Sequence, residues 1–328
     1  MRALNGSEGR AILDVAGAST GGGAARFLRE LDAWFERDPS RGDLVHVVGR
    51  GQRLTPGWLV RRELATRGAP RRFALNNASF CTPGGERVVL LRNALHFASQ
   101  AELDAIGFVP SFALRAQIPV IRALAHRADR IVVPCTAMAE RVAAHAPLLR
   151  KRIVVRGHPV STPGWSEKPT ENRKTILVPI NPGPYKNLDQ HVAALLEAGR
   201  GLDLRVVVTA NPEQLPLVTE HERVDFVGPL TAGQLQPYWE RALAIYFPPG
   251  LESFGYPLAE ARVNGRWVIA RNTEQNREIA GRALAPYSVG DVASLCEAIR
   301  SVLASDDPMP DPAPNDPDSY FEWLVGVR

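Results

Sequence analysis

Two carboxylates eight residues apart, Glu252 and Glu260, bracket a glycine loop and a helix start in the stretch YFPPGLESFGYPLAEARVNGRWVIARNTEQNREIAG, Tyr246 to Gly281. Carboxylates accept hydrogen bonds from sugar hydroxyls. The open N–H groups of a loop and a first helical turn suit phosphate or hydroxyl oxygens. The pattern points to a polyhydroxylated anion. A second candidate cradle is STGGG, where Gly21–Gly23 follow an apolar run and precede an amphipathic one. Strand, glycine loop, helix has the form of a phosphate loop, and a plain tight turn is the alternative. It is not a dinucleotide fingerprint, because Arg26 stands where the third glycine belongs, and no Lys-Ser/Thr follows to make a P-loop. That argues against a dehydrogenase. Lys186 is one of only four lysines in a chain that otherwise uses arginine. A compact ammonium is a phosphate partner; a solvated loop charge is the plainer reading.

The elements that must position these groups alternate short apolar strands with helices, which argues for parallel sheets. Strands are expected at AILDVAG, LVHVVG, RFALNN, RVVLLRN, DRIVV and KRIVV in the first half. The helix after Gly23 should turn Phe27, Leu28, Leu31, Trp34 and Phe35 inward. Residues 57–73, GWLVRRELATRGAPRRF, read as a basic amphipathic segment, either solvated or facing a membrane surface or acceptor. Residues 112–127 read as a helix that Pro119 kinks or restarts. STPGWSEKPTENR is polar and proline-rich, an expected interdomain linker. The second half restarts with KTILVPI, a Gly/Pro loop and a helix; LRVVVTA, RVDFVG and ALAIYF follow as strands. The central loop then leads into a helix from Pro257 to Asn264-Gly265 and a strand, RWVIA. A helix follows Asp291, and the Pro/Asp-rich tail closes on SYFEWLVGVR, a short apolar helix.

The stretch E-SFGYPLA-E, with its following VIARNTEQNREIAG, resembles the donor-site signature of the family 4 retaining glycosyltransferases. The resemblance is strong over residues 174–305 and organisational over 1–165. It implies a GT-B fold, α/β, with two Rossmann-like parallel-sheet domains facing across a cleft. The expected division is 1–165 on the acceptor side, 166–310 on the nucleotide-sugar side, and a tail of 311–328 that packs back on the first domain. It implies Glu252 and Lys186 as catalytic groups. Gly22, Gly23, Asn181, Gly228, Ser253, Phe254, Gly255 and Glu260 join Lys186 in binding the donor. Lys186 stands where the family neutralises the diphosphate. Two positions depart from the pattern: Asn181 replaces a family arginine, and Arg92 replaces a histidine at the end of a strand near the reacting sugar. Arg92 and Asn93 are acceptor-side candidates, and His96 is the nearest histidine that could serve. The implied reaction is retaining hexosyl transfer from a nucleotide sugar, UDP-linked on family frequency with GDP and dTDP as alternatives. The acceptor is the hydroxyl of a small molecule or natural product. A nucleotide-sugar epimerase and a non-catalytic donor-binding relative are the rivals. No metal and no cofactor beyond the co-substrate are expected.

With 328 residues and 45% hydrophobic content, the chain can fill two cores. No run approaches a membrane span, and MRALNGSEGRAILDVAG carries no apolar signal core, so a cytoplasmic location is expected. Cys81, Cys135 and Cys296 have no CxxC spacing and read as neither a disulfide framework nor a zinc site. Residues 1–160 hold 24 Lys and Arg against 13 Asp and Glu, a balance of +11, and the remainder balances at −7. A basic first half suits an anionic acceptor, such as a lipid phosphate or nucleic acid, or a membrane surface.

Overall fold

A computed structural model describes residues 10–18, 22–162, 174–180, 182–183 and 185–326. The chain divides into two compact units. The first holds residues 1–100, 109–159 and 315–328; the second holds 101–108 and 160–314.

Among the described residues the first unit contains six strands, β1 (Ala11–Asp14), β2 (Val45–Val48), β3 (Arg71–Ala74), β4 (Glu86–Leu90), β5 (Arg130–Val133) and β6 (Ile153–Val155). They pair in the order β2-β1-β3-β4-β5-β6, every pair parallel. Parallel strands need crossovers, and helices α1 (Gly22–Arg37), α2 (Pro56–Ala65), α3 (Gln100–Ala105), α4 (Phe112–Ala125) and α5 (Thr136–His145) lie between them in sequence. The second sheet is built from β7 (Thr175–Val178), β8 (Arg205–Val208), β9 (Val224–Phe226), β10 (Ala244–Phe247), β11 (Trp267–Arg271) and β12 (Leu284–Tyr287). Its order is β12-β11-β10-β7-β8-β9, again wholly parallel. Helices α6 (Leu188–Ala198), α7 (Ala232–Arg241), α8 (Tyr256–Asn264), α9 (Glu274–Ala280) and α10 (Val292–Ala304) accompany it. The last helix, α11 (Pro317–Val325), belongs to the first unit.

Burial explains the elements. Ile176, Leu177 and Val178 of β7 are buried, as are all four residues of β10; such apolar runs mark strands covered on both faces. On α1, Phe27, Leu31 and Trp34 enter the core, with Leu28 and Phe35 packed against it. Helix α11 presses Tyr320, Phe321 and Leu324 into the same cluster. The Phe27 ring meets Tyr320 at 5.6 Å and Phe321 at 5.5 Å, both edge-on. A buried aromatic of this size contributes about 2–3 kcal/mol, so α11 is an integral part of the first core.

Two expectations are corrected, and two further features went unread. The basic segment 57–73 is not simply a solvated face: Arg62 on α2 and Arg72 on β3 are fully buried. Arg72 donates through Nη1 and Nη2 to the Thr82 side chain and the Thr82 and Gly84 carbonyls, with its guanidinium over the Phe80 ring. Pro119 does not restart the helix, since α4 is one element with Pro119 inside it. Strand β12 goes unread in sequence because Pro286 sits within it. A proline is tolerated there because β12 is the edge of its sheet. The tail carries an Asp-x-Asp, Asp316-Pro317-Asp318, in which Asp318 is engaged by Arg37 and Arg41 at 3.2 and 3.0 Å.

Candidate functional site

In parallel α/β sheets, ligands bind beyond the carboxyl ends of the strands. In the second unit the segment that follows β10 runs through Pro248, Pro249 and Gly250 to Glu252, and then into α8. Gly255 caps α8 at φ +83. Its own Cβ would stand 2.9 Å from Leu258 Cδ1 and 3.0 Å from Phe247 Cε1, so only glycine fits. Pro257 occupies the first helical turn, where its missing N–H costs nothing. Helix α8 buries Tyr256, Leu258, Ala259, Glu260, Ala261 and Val263. It is a core helix rather than an amphipathic one. Glu260 thus stands 4% exposed within that core helix. Gly265 ends the helix in the left-handed conformation.

Lys186 follows β7, on the turn before α6. Strands β7 and β10 are neighbours, in register through Ala244↔Ile176 and Ile245↔Leu177. Their adjacency brings Lys186 Nζ to 3.9 Å from Glu252 Oε1, with the two side chains 19% and 24% exposed. Burial pushes the Glu252 carboxyl above its usual range, and the Lys186 ammonium works in the opposite direction. Gln275 Nε2, on α9, donates to the Glu252 carbonyl at 3.1 Å and fixes that backbone. Phe254 is buried edge-on against Tyr256 at 5.3 Å. Gly228 follows β9 with φ +68, beside the Asn211 side chain beyond β8. Lys186, Gly228, Glu252, Ser253, Phe254, Gly255 and Glu260 therefore all lie past the carboxyl ends of one sheet's strands or on the helix entered from them. Asn181 lies outside the described residues.

In the first unit, Gly22 and Gly23 open α1, and Arg92 and Asn93 follow β4. The Arg92 guanidinium stacks 4.9 Å from the Phe27 ring centroid. Asn93 caps the short turn that carries His96, accepting from the Leu95 N–H at 3.1 Å. His96 is 4% exposed, and its carbonyl accepts from Arg122 Nε at 2.8 Å. Burial, aided by Arg122 and opposed by a hydrogen bond to Gln117, lowers its pKa to about 4. His96 is therefore a neutral, packed imidazole at pH 7.

Sequence reasoning missed the buried ion pair at the end of β1. Asp14 and Arg62 are 0% and 1% exposed, joined at 2.5 Å. Asp14 also accepts from Asn76 Nδ2 at 2.9 Å, Trp58 Nε1 at 3.1 Å and the Ala16 N–H at 3.1 Å. Arg62 Nη2 donates to the Ala78 and Ser79 carbonyls at 2.6 and 2.8 Å. The network ties the turn after β1 to the segment after β3. An aspartate closing an otherwise apolar strand, AILD, was the available signal.

Buried histidines give the fold a pH dependence. His191 on α6 is lowered to about 4 by burial and Arg271, and His158 falls well below its usual range through burial and Arg92. All three bind protons more readily unfolded, near 6.5, than folded. Their contribution is complete above pH 6.5 and is lost as pH falls toward 4. Between pH 7 and pH 5, His96 should cost roughly 2 kcal/mol of stability, and half-buried His191, screened by solvent, less. Urea unfolding at the two pH values checks this; equal midpoints would contradict it.

Among the described residues no group of three or more His, Cys, Asp or Glu side chains could hold a metal, and no helix is long and apolar enough to cross a membrane. No family model and no curated protein matches the chain. Solved structures do. The chain is similar to Alr3699/HepE of Anabaena in complex with UDP and glucose, with TM-score 0.63 and 14% identity over 97% of this chain and 95% of that one. It is similar to WaaG, a glycosyltransferase involved in lipopolysaccharide biosynthesis, with TM-score 0.59 and 14% identity over 90% of each chain. A UDP-N-acetylglucosamine 2-epimerase aligns at TM-score 0.53 and 14% identity, over 97% of each. The chain spans about half, 54%, of the length of TarM. At such identities the likeness is one of fold: two Rossmann-like parallel-sheet domains of the GT-B type.

Proposed function

We propose that the chain is a glycosyltransferase that moves a sugar from a nucleotide-sugar donor to an acceptor hydroxyl, with retention at the anomeric carbon. The observation that carries this reading is the meeting of Lys186 and Glu252 at 3.9 Å past the ends of adjacent strands. In the reaction the bond from the anomeric carbon to the diphosphate oxygen breaks, and a bond to the acceptor oxygen forms. The acceptor proton leaves late and passes to the departing diphosphate. Charge grows on that diphosphate, so its stabilisation should be the largest contribution. Lys186 serves it. Glu252, with the amides of Ser253, Phe254 and Gly255, holds the sugar hydroxyls, and Glu260 takes the ribose diol. Gly228 lines the base side. UDP is the favoured nucleotide; the HepE complex with UDP and glucose supports that choice. The acceptor is a small molecule or natural product, and an anionic acceptor is the variant suggested by the basic first half. No metal or cofactor takes part in this scheme.

A thermal-shift and hydrolysis screen against UDP-, GDP-, ADP- and dTDP-sugars tests the reading. A ligand at about 100 times its Kd adds roughly 2.7 kcal/mol of stability, a shift of a few degrees. One donor class should produce it; no shift with any donor would sink the proposal. The epimerase likeness favours a second reading, isomerisation of the donor without an acceptor. Product analysis with donor alone separates the two.

A further inference from the structure

The segment before Glu252 is held by a residue on a different strand. Arg271 ends β11, and its Nε donates to the Pro248 carbonyl at 2.5 Å. Its Nη2 meets His191 Nε2 at 3.1 Å. His191 lies on α6, the helix that begins directly after the Lys186 turn. The same guanidinium reaches the Tyr287 phenol, itself 3.2 Å from the Tyr246 hydroxyl. One side chain therefore joins the helix behind Lys186 to the turn in front of Glu252. The histidine is neutral at pH 7 and so can accept the Arg271 hydrogen bond.

A second contact closes on the same point. A Cβ on Gly250 would fall 2.5 Å from Arg271 Nη1 and 3.0 Å from Ile106 Cγ2, so turn, guanidinium and Ile106 meet with no room for one carbon. The Ile106 carbonyl accepts from Asn187 Nδ2 at 3.3 Å, and the Phe108 ring meets Tyr185 edge-on at 5.3 Å. Tyr185 and Asn187 flank Lys186. Asn187 holds a left-handed φ of +45, a strained conformation that needs support. The short segment 101–108, placed in the second unit although its neighbours in sequence belong to the first, thus touches both loops of the candidate site.

We propose that Arg271 is a positioning residue which, with Ile106 as the opposing contact, sets the separation of Lys186 and Glu252. This rests on the donor-site reading above. Lysine would not replace Arg271, because one ammonium cannot span the carbonyl, the imidazole and the phenol as the planar fork does. The test is Arg271→Met in the full chain, read by amide exchange and by steady-state donor turnover. Exchange in residues 246–256 should quicken about tenfold while β8 and β9 stay protected. The kcat should fall about 100-fold with KM changed less than about threefold, as for a misplaced group that touches no substrate. His191→Leu should reproduce part of the loss, and His191→Gln, which keeps an acceptor, should restore it. If Arg271→Met does not fold, Gly250→Ala carries the test through the opposite insult, a wedge in the same space. Unchanged exchange and kcat would overturn the proposal, as would exchange raised evenly through the second unit. Wild-type protein with no donor binding or turnover would instead remove the glycosyl-transfer reading, and the exchange data alone would then decide the clamp.

Discussion

Lys186→Ala should lower donor turnover by about 10²–10³ while leaving the fold in place. Removing one preorganised donor aimed at developing charge costs that much in kcat. The Lys186 ammonium is partly solvated and stands 3.9 Å from the Glu252 carboxylate, too far for a hydrogen bond. Its stability role is accordingly small, and the melting temperature should move little. Glu252→Gln should cause a comparable loss. The amide keeps the size of the carboxylate but surrenders its charge, and hydrogen bonds to charged acceptors are worth roughly twice neutral ones. The two losses should not add in the double variant, because both residues act on one donor. Steady-state kinetics with the donor identified by thermal shift reads all three proteins. Turnover within about twofold of wild type in Lys186→Ala would contradict the assignment.

The second large effect is on stability. Arg62→Met should destabilise the first unit by about 3–5 kcal/mol, the usual cost of leaving a buried charge without its partner. Asp14 would keep Asn76, Trp58 and the Ala16 amide but would lose the guanidinium at 2.5 Å. The Ala78 and Ser79 carbonyls would lose their donor as well. Asp14→Asn combined with Arg62→Met removes the stranded charge and should recover part of the loss. The difference between the double variant and the sum of the singles measures the coupling. Urea unfolding followed by tryptophan fluorescence suits the test, because Trp58 itself donates to Asp14. A loss below about 1 kcal/mol in Arg62→Met would show the network to be dispensable.

Local chemistry made much of the second unit legible. The run Gly255, Pro257 and Gly265 marks the start and end of α8 because glycine accepts positive φ and proline suits a first turn. The apolar runs of β7 and β10 announce buried parallel strands. Strand β12 escaped notice because Pro286 breaks the pattern, and nothing local says that a strand will be an edge. In the first unit, Arg62 and Arg72 read as surface charges, since arginine is almost never fully buried unless paired. Their partners, Asp14, Thr82 and several carbonyls, are distant in sequence and become visible only in the folded chain.

The sequence by itself determined the alternation of strands and helices, the fold class, and the identity of the candidate donor residues, because each depends on periodicity or on a short ordered motif. Tertiary structure decided which of those residues meet. Lys186 and Glu252 come together only because β7 and β10 pair directly although two strands separate them in the chain. Strand order also placed Arg271 on the strand beside β10, where it reaches the Pro248 turn. It placed segment 101–108 against loops more than half a domain away in sequence. Such juxtapositions follow from how strands are ordered across a sheet, a long-range choice made by the packing of the whole unit and written in no single stretch of residues.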